Sequence, residues 1–244
     1  MQDKAYQLYD DLEENNLWFK ARIELVSDII IKNVKNYDSL KLVDIGCGSG
    51  FFLSEVSKYI PNSIGIEKHK YNIEKYNNIL ELDLFESDLS SYKFDIITFL
   101  DVLEHMEYES HFLNKVKLIM NKDATVLLTV PAYQWLYGYA DELYHHYRRY
   151  NAKNLREVLE KNGFEIKKIT YFNCILFPIF VFIRIKDKIL KKKKIFYGKK
   201  GILNHIVYNI FKLEKYMIRL FSLPFGSSVL VVCKLKNNII GGGV

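Results

Sequence analysis

Cysteine is scarce: Cys47, Cys174 and Cys233 are the three in 244 residues. None stands at metal-ligand spacing or in a disulfide framework, so the chain reads as a protein of a reducing compartment. Long apolar runs are absent too. No stretch reaches the roughly 18 apolar residues of a spanning helix, and the opening MQDKAYQLYDDLEEN is acidic and polar, unlike a secretory signal. A basic stripe is also missing. The net charge is +6, yet between Arg184 and Lys200 nine cations face only Asp187, a local +8 that leaves the remainder at −2. A nucleic-acid binder would spread its cations over a face or groove, so no nucleic-acid partner is expected. What remains is ordinary for a globular chain, 49% apolar and 26% charged, and long enough to bury a real core.

Glycine is concentrated where it matters. Leu42, Val43 and Ile45, with Asp44 among them, read as a buried strand. Gly46-Cys47-Gly48-Ser49-Gly50 follows, with no side-chain bulk at every other position, and then a helix over Phe51–Ile60 that Pro61 ends. Glycine lets the backbone take positive φ and approach a ligand, while a helix N-terminus offers unpaired N–H groups. The segment therefore suits a nucleoside-bearing cofactor. The dinucleotide fingerprint G-x-G-x-x-G is not met, because Phe51 follows Gly50.

Further strands are expected over Ser63–Ile66, ending in Glu67, and over Ile79–Leu82, delivering Asp83 and Leu84. Two more run over Phe94–Leu100, leading to Asp101-Val102-Leu103-Glu104-His105, and over Thr125–Val130, closed by Pro131, after a helix at Ser110–Met120. Strands alternating with helices call for a parallel sheet covered on both faces, with ligands at the carboxyl ends of the strands. The glycine loop, Glu67, Asp83, Leu100 and Pro131 all fall at such ends. Glu67, 17 residues past Gly50, is placed to accept hydrogen bonds from both ribose hydroxyls. Asp88 competes with Asp83, which lies nearer its strand. Asp101, Glu104 and His105 could suggest a metal, but acids at a helix start favour the helix dipole, and no metal is expected.

The pattern D-x-G-x-G-x-G at Asp44 to Gly50 resembles the first motif of class I S-adenosylmethionine-dependent methyltransferases, and F-D-x-x…D-V-L-E-H resembles the corresponding segment of their small-molecule branch. EENNLWFKAR is similar to that branch's E-x-x-x-x-W-F-x-x-R entry segment, associated with glycan and secondary-metabolite pathways. The resemblance implies S-adenosyl-L-methionine as cofactor and S-adenosyl-L-homocysteine as product. It implies that Asp44, Gly46, Cys47, Gly48, Gly50 and Glu67 hold the cofactor and that Asp83 and Leu84 meet the adenine. Leu100 and Asp101 would line the methionine end, with Trp18, Phe19 and Arg22 bordering the site. It also implies a Rossmann-like, doubly wound α/β fold with seven mostly parallel strands and an antiparallel last strand. There is no [N/D]-P-P-Y, the signature of enzymes that methylate exocyclic amines of bases.

Val130–Tyr150 has no helical or strand period and is dense in Tyr, Trp and His, as suits a binding loop. A helix over Lys153–Lys161, stopped at Asn162-Gly163, and a strand over Phe164–Tyr171 follow. H-Y-R-R-Y-N…L…L…G-F resembles the branch's H-x-R-x-[Y/F]-T…G-F segment at His146, Arg148 and Tyr150. If the acceptor is a hydroxyl, a base should take its proton. His146 is the candidate and His145 its backup; Tyr133, Trp135 and Tyr137 would wall the pocket. A structural histidine that pins the loop is an equal reading. Arg148 and Arg149 either bind an acidic group of the acceptor or pair with Asp141 and Glu142.

Residues 172–226 read as a helical, apolar and basic insertion into a methyltransferase domain of residues 1–171 and 227–244, whose first 35 residues form a helical cap. ILFPIFVFI (Ile175–Ile183) is an apolar run interrupted by Pro178; a helix over Ile202–Ser222 and a last strand over Ser228–Leu235 follow. An apolar segment flanked by lysines can lie in a membrane interface, or it caps the cleft. The expectation is thus a cytoplasmic methyltransferase acting on an oxygen (or nitrogen) of a small molecule, sugar or glycolipid, with 172–200 the surface that could meet the inner face of a membrane. The alternatives are a nucleic-acid or protein methyltransferase and a non-catalytic cofactor-binding regulator.

Overall fold

A computed structural model describes residues 17–34, 36–68, 78–89, 91–190 and 202–236. The helix expected over residues 3–16 and the lysines at 191–200 lie outside them.

The sheet is built on β1 (Lys41–Ile45), buried at every position after Lys41, Asp44 included, as befits a strand covered on both faces. It pairs in parallel with β2 (Asn62–Glu67) on one side and β4 (Phe94–Leu100) on the other. Outside these lie β3 (Ile79–Glu81) and β5 (Met120–Pro131), both parallel to their neighbours. β7 (Ser228–Leu235) slots between β5 and β6 (Phe164–Phe172), antiparallel to both. The order among the described residues is β3-β2-β1-β4-β5-β7-β6. The chain reverses its direction of travel across the sheet after β3, so β1 and β4 flank the switch point where doubly wound sheets bind ligands.

Helix α1 (Leu17–Asn33) lays Val26, Ile29 and Ile30 on the core. Helix α2 (Phe51–Val56) is shorter than its sequence suggests, since the chain leaves the helix at Ser57 and turns before Pro61. Next come α3 (Glu109–Leu118) and, inside the aromatic loop that reads as aperiodic, a short α4 (Tyr139–Leu143). Helix α5 (Ala152–Lys161) is opened by a reciprocal cap. Asn151 Oδ1 accepts the Asn154 N–H at 2.9 Å, and Asn154 Oδ1 accepts the Asn151 N–H at 2.8 Å.

Pro178 does not interrupt the apolar run. It opens α6 (Phe177–Ile189), where its missing N–H costs nothing. α7 (Ile202–Leu220) then packs along α1. Tyr208 donates to Glu24 at 2.7 Å, and the Arg219 guanidinium grips Asp28 through Nε at 2.8 Å and through Nη2. The insertion thus leans on the N-terminal helix and on β6, where Lys168 Nζ donates to the Ile218 carbonyl.

Candidate functional site

The loop after β1 takes a backbone path that favours glycine. Gly46, Gly48 and Gly50 have φ of 69°, 54° and 80°, the left-handed region that a Cβ makes costly. A Cβ on Gly46 would lie 2.7 Å from a Val102 methyl, so the loop rests on the segment after β4; a Cβ on Gly48 would meet nothing within 4 Å. One glycine serves packing and the next keeps a cradle open. Asp44 sits beneath, buried within β1, and accepts the Thr98 hydroxyl of β4 at 2.6 Å. Cys47 is tucked against β2, where a Cβ on Gly65 would strike its sulfur at 2.6 Å.

Glu67 closes the cradle from the tip of β2. Its carboxylate accepts the Gly48 N–H at 3.0 Å and the Lys68 N–H at 2.9 Å, and the residue is buried. Asp83 follows β3 in a turn closed by the Phe85 N–H at 2.8 Å, with Lys68 Nζ 2.7 Å from its other oxygen. Burial works against its ionisation, but the Lys68 and backbone bonds outweigh it and hold the carboxyl below its ordinary range. Leu84 is buried beside it, whereas Asp88 lies farther along, lining a cavity with Lys115 and Leu118. At the end of β4, beyond the half-buried Leu100, Asp101 takes φ 57° and its carboxylate meets Arg22 at 2.8 Å and the Thr129 hydroxyl at 3.0 Å. Arg22 also donates to that hydroxyl at 2.9 Å. Arg22 therefore clamps α1 over the ends of β4 and β5, with Phe19 buried one turn earlier. Trp18 lies in the first turn of α1, and its side chain falls outside the described residues.

A second cluster forms where the aromatic loop returns over β4. Leu103–His105 is a single 3₁₀ turn, and α3 begins only at Glu109. The helix dipole invoked for Asp101, Glu104 and His105 is therefore missing there. Glu104 is fully buried, and neither carboxylate oxygen has a hydrogen-bond partner. Burial and the nearby Asp101 charge push its pKa well above the usual range. The Tyr147 N–H donates to the Glu104 carbonyl at 2.8 Å, drawing the loop down so that His146 Nε2 lies 4.0 Å from Glu104 Oε1. The rings of His105 and His146 meet edge to face, centroids 4.6 Å apart. Burial, then the His146 charge, lowers His105 to about 4.

His146 is held by a partner that the sequence offered only to arginine. Its Nδ1 lies 2.9 Å from Asp141 Oδ1, and Asp141 also accepts Arg149 Nε at 2.7 Å and the Gly138 N–H at 2.9 Å. Burial opposes ionisation of Asp141, but the His146 and Arg149 bonds keep its pKa down at about 2. An ionised carboxylate only accepts, so Nδ1 carries a proton, and the other ring nitrogen, Nε2, faces Glu104 and His105. His145, next along, takes φ 58° and is exposed, outside the cluster.

Both arginines are committed within the fold: Arg149 to Asp141 and the Ala132 carbonyl, Arg148 to Glu109 at 2.5 Å and the Glu107 carbonyl at 2.7 Å. Glu142, the other expected partner, is exposed. Tyr150 is buried and donates to Glu109 at 3.1 Å. Tyr137 pins the loop rather than walling a pocket, since its hydroxyl donates to the His146 carbonyl at 2.7 Å. Tyr133, at φ 60°, stacks on Tyr171 with centroids 5.3 Å apart and contacts the rings of Trp135 and Phe177. Phe177 belongs to α6, so the insertion completes an aromatic wall; Lys188 Nζ ties the same helix to the Trp135 carbonyl at 2.7 Å.

An open glycine cradle, with a carboxylate at the second strand tip and another just past the third, offers hydrogen-bond acceptors of the kind a nucleoside's hydroxyls and amine would meet. Residues 18–169 match the model of a family described as a methyltransferase domain. The ubiquinone biosynthesis O-methyltransferase of Rickettsia canadensis (strain McKiel) is 24% identical over 170 residues, 61% of this chain and 72% of that protein. Among solved structures, a SAM-dependent methyltransferase from Archaeoglobus fulgidus shares the fold at TM-score 0.56 and 20% identity, covering 94% of this chain and 99% of the other. The plantazolicin methyltransferase BpumL, solved in complex with SAH, does so at TM-score 0.60 and 13% identity, covering 96% and 91%. With its motif residues gathered at the strand ends of that fold, the chain belongs to the methyltransferase-domain family and is a class I S-adenosylmethionine-dependent methyltransferase.

Proposed function

We propose that this enzyme methylates an oxygen of a small, partly apolar acceptor bound between the aromatic loop and α6. The observation that carries the reading is His146, oriented by Asp141 through Nδ1 with Nε2 facing Glu104 and His105, three and four residues past Asp101. A hydroxyl needs such a group for its activation, whereas a free amine carries its own lone pair. The name of the Rickettsia relative, an O-methyltransferase of ubiquinone biosynthesis, agrees with this choice of atom.

On this reading Gly46, Cys47, Gly48 and Gly50 form the cradle, Glu67 holds the ribose, Asp83 and Leu84 border the adenine, and Leu100 and Asp101 border the methionine part. Asp44 supports the loop from below. When bound, the cofactor would supply a sulfonium-bound methyl group to the acceptor oxygen, with the C–S electron pair leaving on sulfur and the hydroxyl proton taken up by His146. The chain's own task is to place the acceptor and exclude water, worth about 7–11 kcal/mol of barrier when well aligned. Tyr133, Tyr171 and Phe177 form the wall that does this, and Arg22 keeps α1 clamped over the strand ends. For His146→Ala the expected result is a fall in kcat of about 10²- to 10⁴-fold, with S-adenosylhomocysteine affinity unchanged by calorimetry. An unchanged kcat removes His146 from the chemistry.

The apolar character of the acceptor is supported by α6. This helix buries none of its residues; Phe182 is 68% and Ile189 74% exposed, beside the exposed Lys186 and Lys188. Apolar side chains with cations alongside suit an interface of anionic headgroups, while no described helix is long and apolar enough to cross a membrane. In flotation with vesicles containing anionic lipid, the wild type is expected to float, and Phe182→Asp/Ile189→Asp and Lys191–Lys194→Ser variants to float less. No flotation of the wild type ends the membrane part of this reading.

A further inference from the structure

We propose that Arg184, on the face of α6 turned to the aromatic loop, binds an anionic group of the methyl acceptor, a carboxylate or a phosphate. This deepens the oxygen-acceptor reading and rests on it for what the ligand is, though not for its charge.

Contacts at helical spacing fix which face of α6 meets the loop. Phe177 touches the rings of Tyr133 and Trp135, and farther along the same face Lys188 Nζ donates to the Trp135 carbonyl. Arg184 stands between them. A Cβ on Gly138 would lie 3.7 Å from its Nη1, so the guanidinium reaches the loop where Gly138 binds Asp141, the carboxylate that orients His146. The guanidinium is half-buried, and its carbon lies 5.2 Å from the centre of the Phe180 ring. Stacking of that kind uses the face of the group and leaves the N–H donors on its edge. Among the described residues, no hydrogen bond or ion pair engages those donors.

The acids nearby are spoken for or out of reach. Asp141 already accepts from His146, Arg149 and the Gly138 N–H, and Asp187, on α6 itself, makes no ion pair with Arg184. One carboxylate therefore stands among two guanidiniums, and a cation is in excess. Burial first, then the Arg149 charge, lowers the Arg184 pKa against the pull of Asp141 and Asp187. A charge withdrawn from water without a counter-charge is costly, and a bound anion removes that cost. A guanidinium edge holds an oxyanion through two parallel N–H···O bonds. The acid-binding role that the sequence offered to Arg148 and Arg149, both committed elsewhere, thus passes to an arginine of the insertion. With Tyr133, Tyr171 and Phe177 lining the cleft, the acceptor class is an aromatic or otherwise apolar molecule that carries a hydroxyl and an oxyanion. A lipid headgroup is the other source of such an anion. Arg184 turns to the loop, however, while the exposed Phe182 and Ile189 lie around the helix from it.

The test uses the full-length chain with S-adenosylhomocysteine, titrated with benzoate, phenyl phosphate and the neutral isostere benzamide, and followed by saturation-transfer NMR. The wild type is expected to bind at least one of the anions about 10-fold more tightly than the amide. Arg184→Met keeps an apolar stem against Phe180 and should abolish that preference, with benzamide affinity held within about threefold. Arg184→Lys should keep part of it, as a point charge without the fork. Circular dichroism checks folding, and if Arg184→Met does not fold, Arg184→Gln carries the comparison. No preference for either anion in the wild type overturns the proposal, and so does a preference that the folded Met or Gln variant retains. In flotation with anionic vesicles Arg184→Met should float as the wild type does; reduced flotation with the anion preference intact gives the arginine to a headgroup and overturns the proposal as well. The kcat of His146→Ala separates the two readings. An Arg184-dependent preference beside an unchanged kcat sinks only the oxygen chemistry; a fallen kcat without any anion preference sinks only the Arg184 site.

Discussion

Glu67→Ala is expected to weaken S-adenosylhomocysteine binding by about 100-fold. The carboxylate at the tip of β2 stands 3.0 Å from the Gly48 N–H, fixing the open middle of the glycine loop, and in the proposed site it also takes the two ribose hydroxyls. Hydrogen bonds to a charged group contribute about 1.5–3 kcal/mol each, and two to a ribose diol, discounted for what water recovers, amount to about 3 kcal/mol. At 1.4 kcal/mol per decade that is the 100-fold loss. Glu67→Gln sharpens the test, because an amide NH₂ would face either the Gly48 or the Lys68 N–H, which Glu67 now satisfies with its two oxygens. The Gln variant should therefore lose at least about 10-fold despite its matched shape. Calorimetric titration measures both. Affinities within about threefold of wild type would remove Glu67 from the cofactor site.

Gly226→Ala is expected to be the more destructive change for the fold. A Cβ there would lie 2.2 Å from the Phe172 carbonyl oxygen and 2.9 Å from its carbon. These are backbone atoms of β6, held two residues along by the pairing of Phe172 with Ser228 at the start of β7. No flexible side chain can give way, so the two strands must separate where β7 enters the sheet. Overpacking against backbone costs about 3 kcal/mol or more, which for a chain of this size lowers Tm by about 6–12 °C. Gly163→Ala is the control: its φ is +86° but the added Cβ would meet nothing within 4 Å, so strain alone, about 1–2 kcal/mol, should be felt. A Gly226→Ala chain that melts no lower than Gly163→Ala would contradict the described closure of the sheet.

The positions of the residues proposed for the cofactor were legible in the sequence because each element that carries them is local. A buried strand, a bulk-free turn and a carboxylate at the next strand's tip are short-range patterns, and the parallel topology carries them to one edge without further information. Gly46, Glu67, Asp83 and Asp101 all sit where that logic put them. Boundaries failed where polar residues hide a strand. Asn121-Lys122-Asp123 looks like a turn, yet β5 runs through it from Met120 to Pro131. Pro178 misled in the opposite sense, since a proline within an apolar run is either a break or a first turn, and only the fold of α6 decides.

The acceptor half was poorly legible for a different reason. Glu104 and His146 lie 42 residues apart and meet because the Tyr147 N–H bonds the Glu104 carbonyl. No periodicity encodes that bond. The spacing of Asp141 from His146 was visible, but nothing in it told a carboxylate for histidine from one for arginine; in the fold it serves both. The pairing of α7 with α1 through Tyr208–Glu24 and Arg219–Asp28 joins residues more than 180 positions apart, so the insertion's seat on the N-terminal helix had no local trace.

The account stands on the glycine loop and Glu67 together holding a sulfonium nucleoside, and isothermal titration of the purified chain with S-adenosyl-L-methionine, S-adenosyl-L-homocysteine and NADH measures that directly. Heat at one equivalent for the first two and none for NADH is the predicted result; saturable NADH binding with no response to either sulfur nucleoside would contradict it.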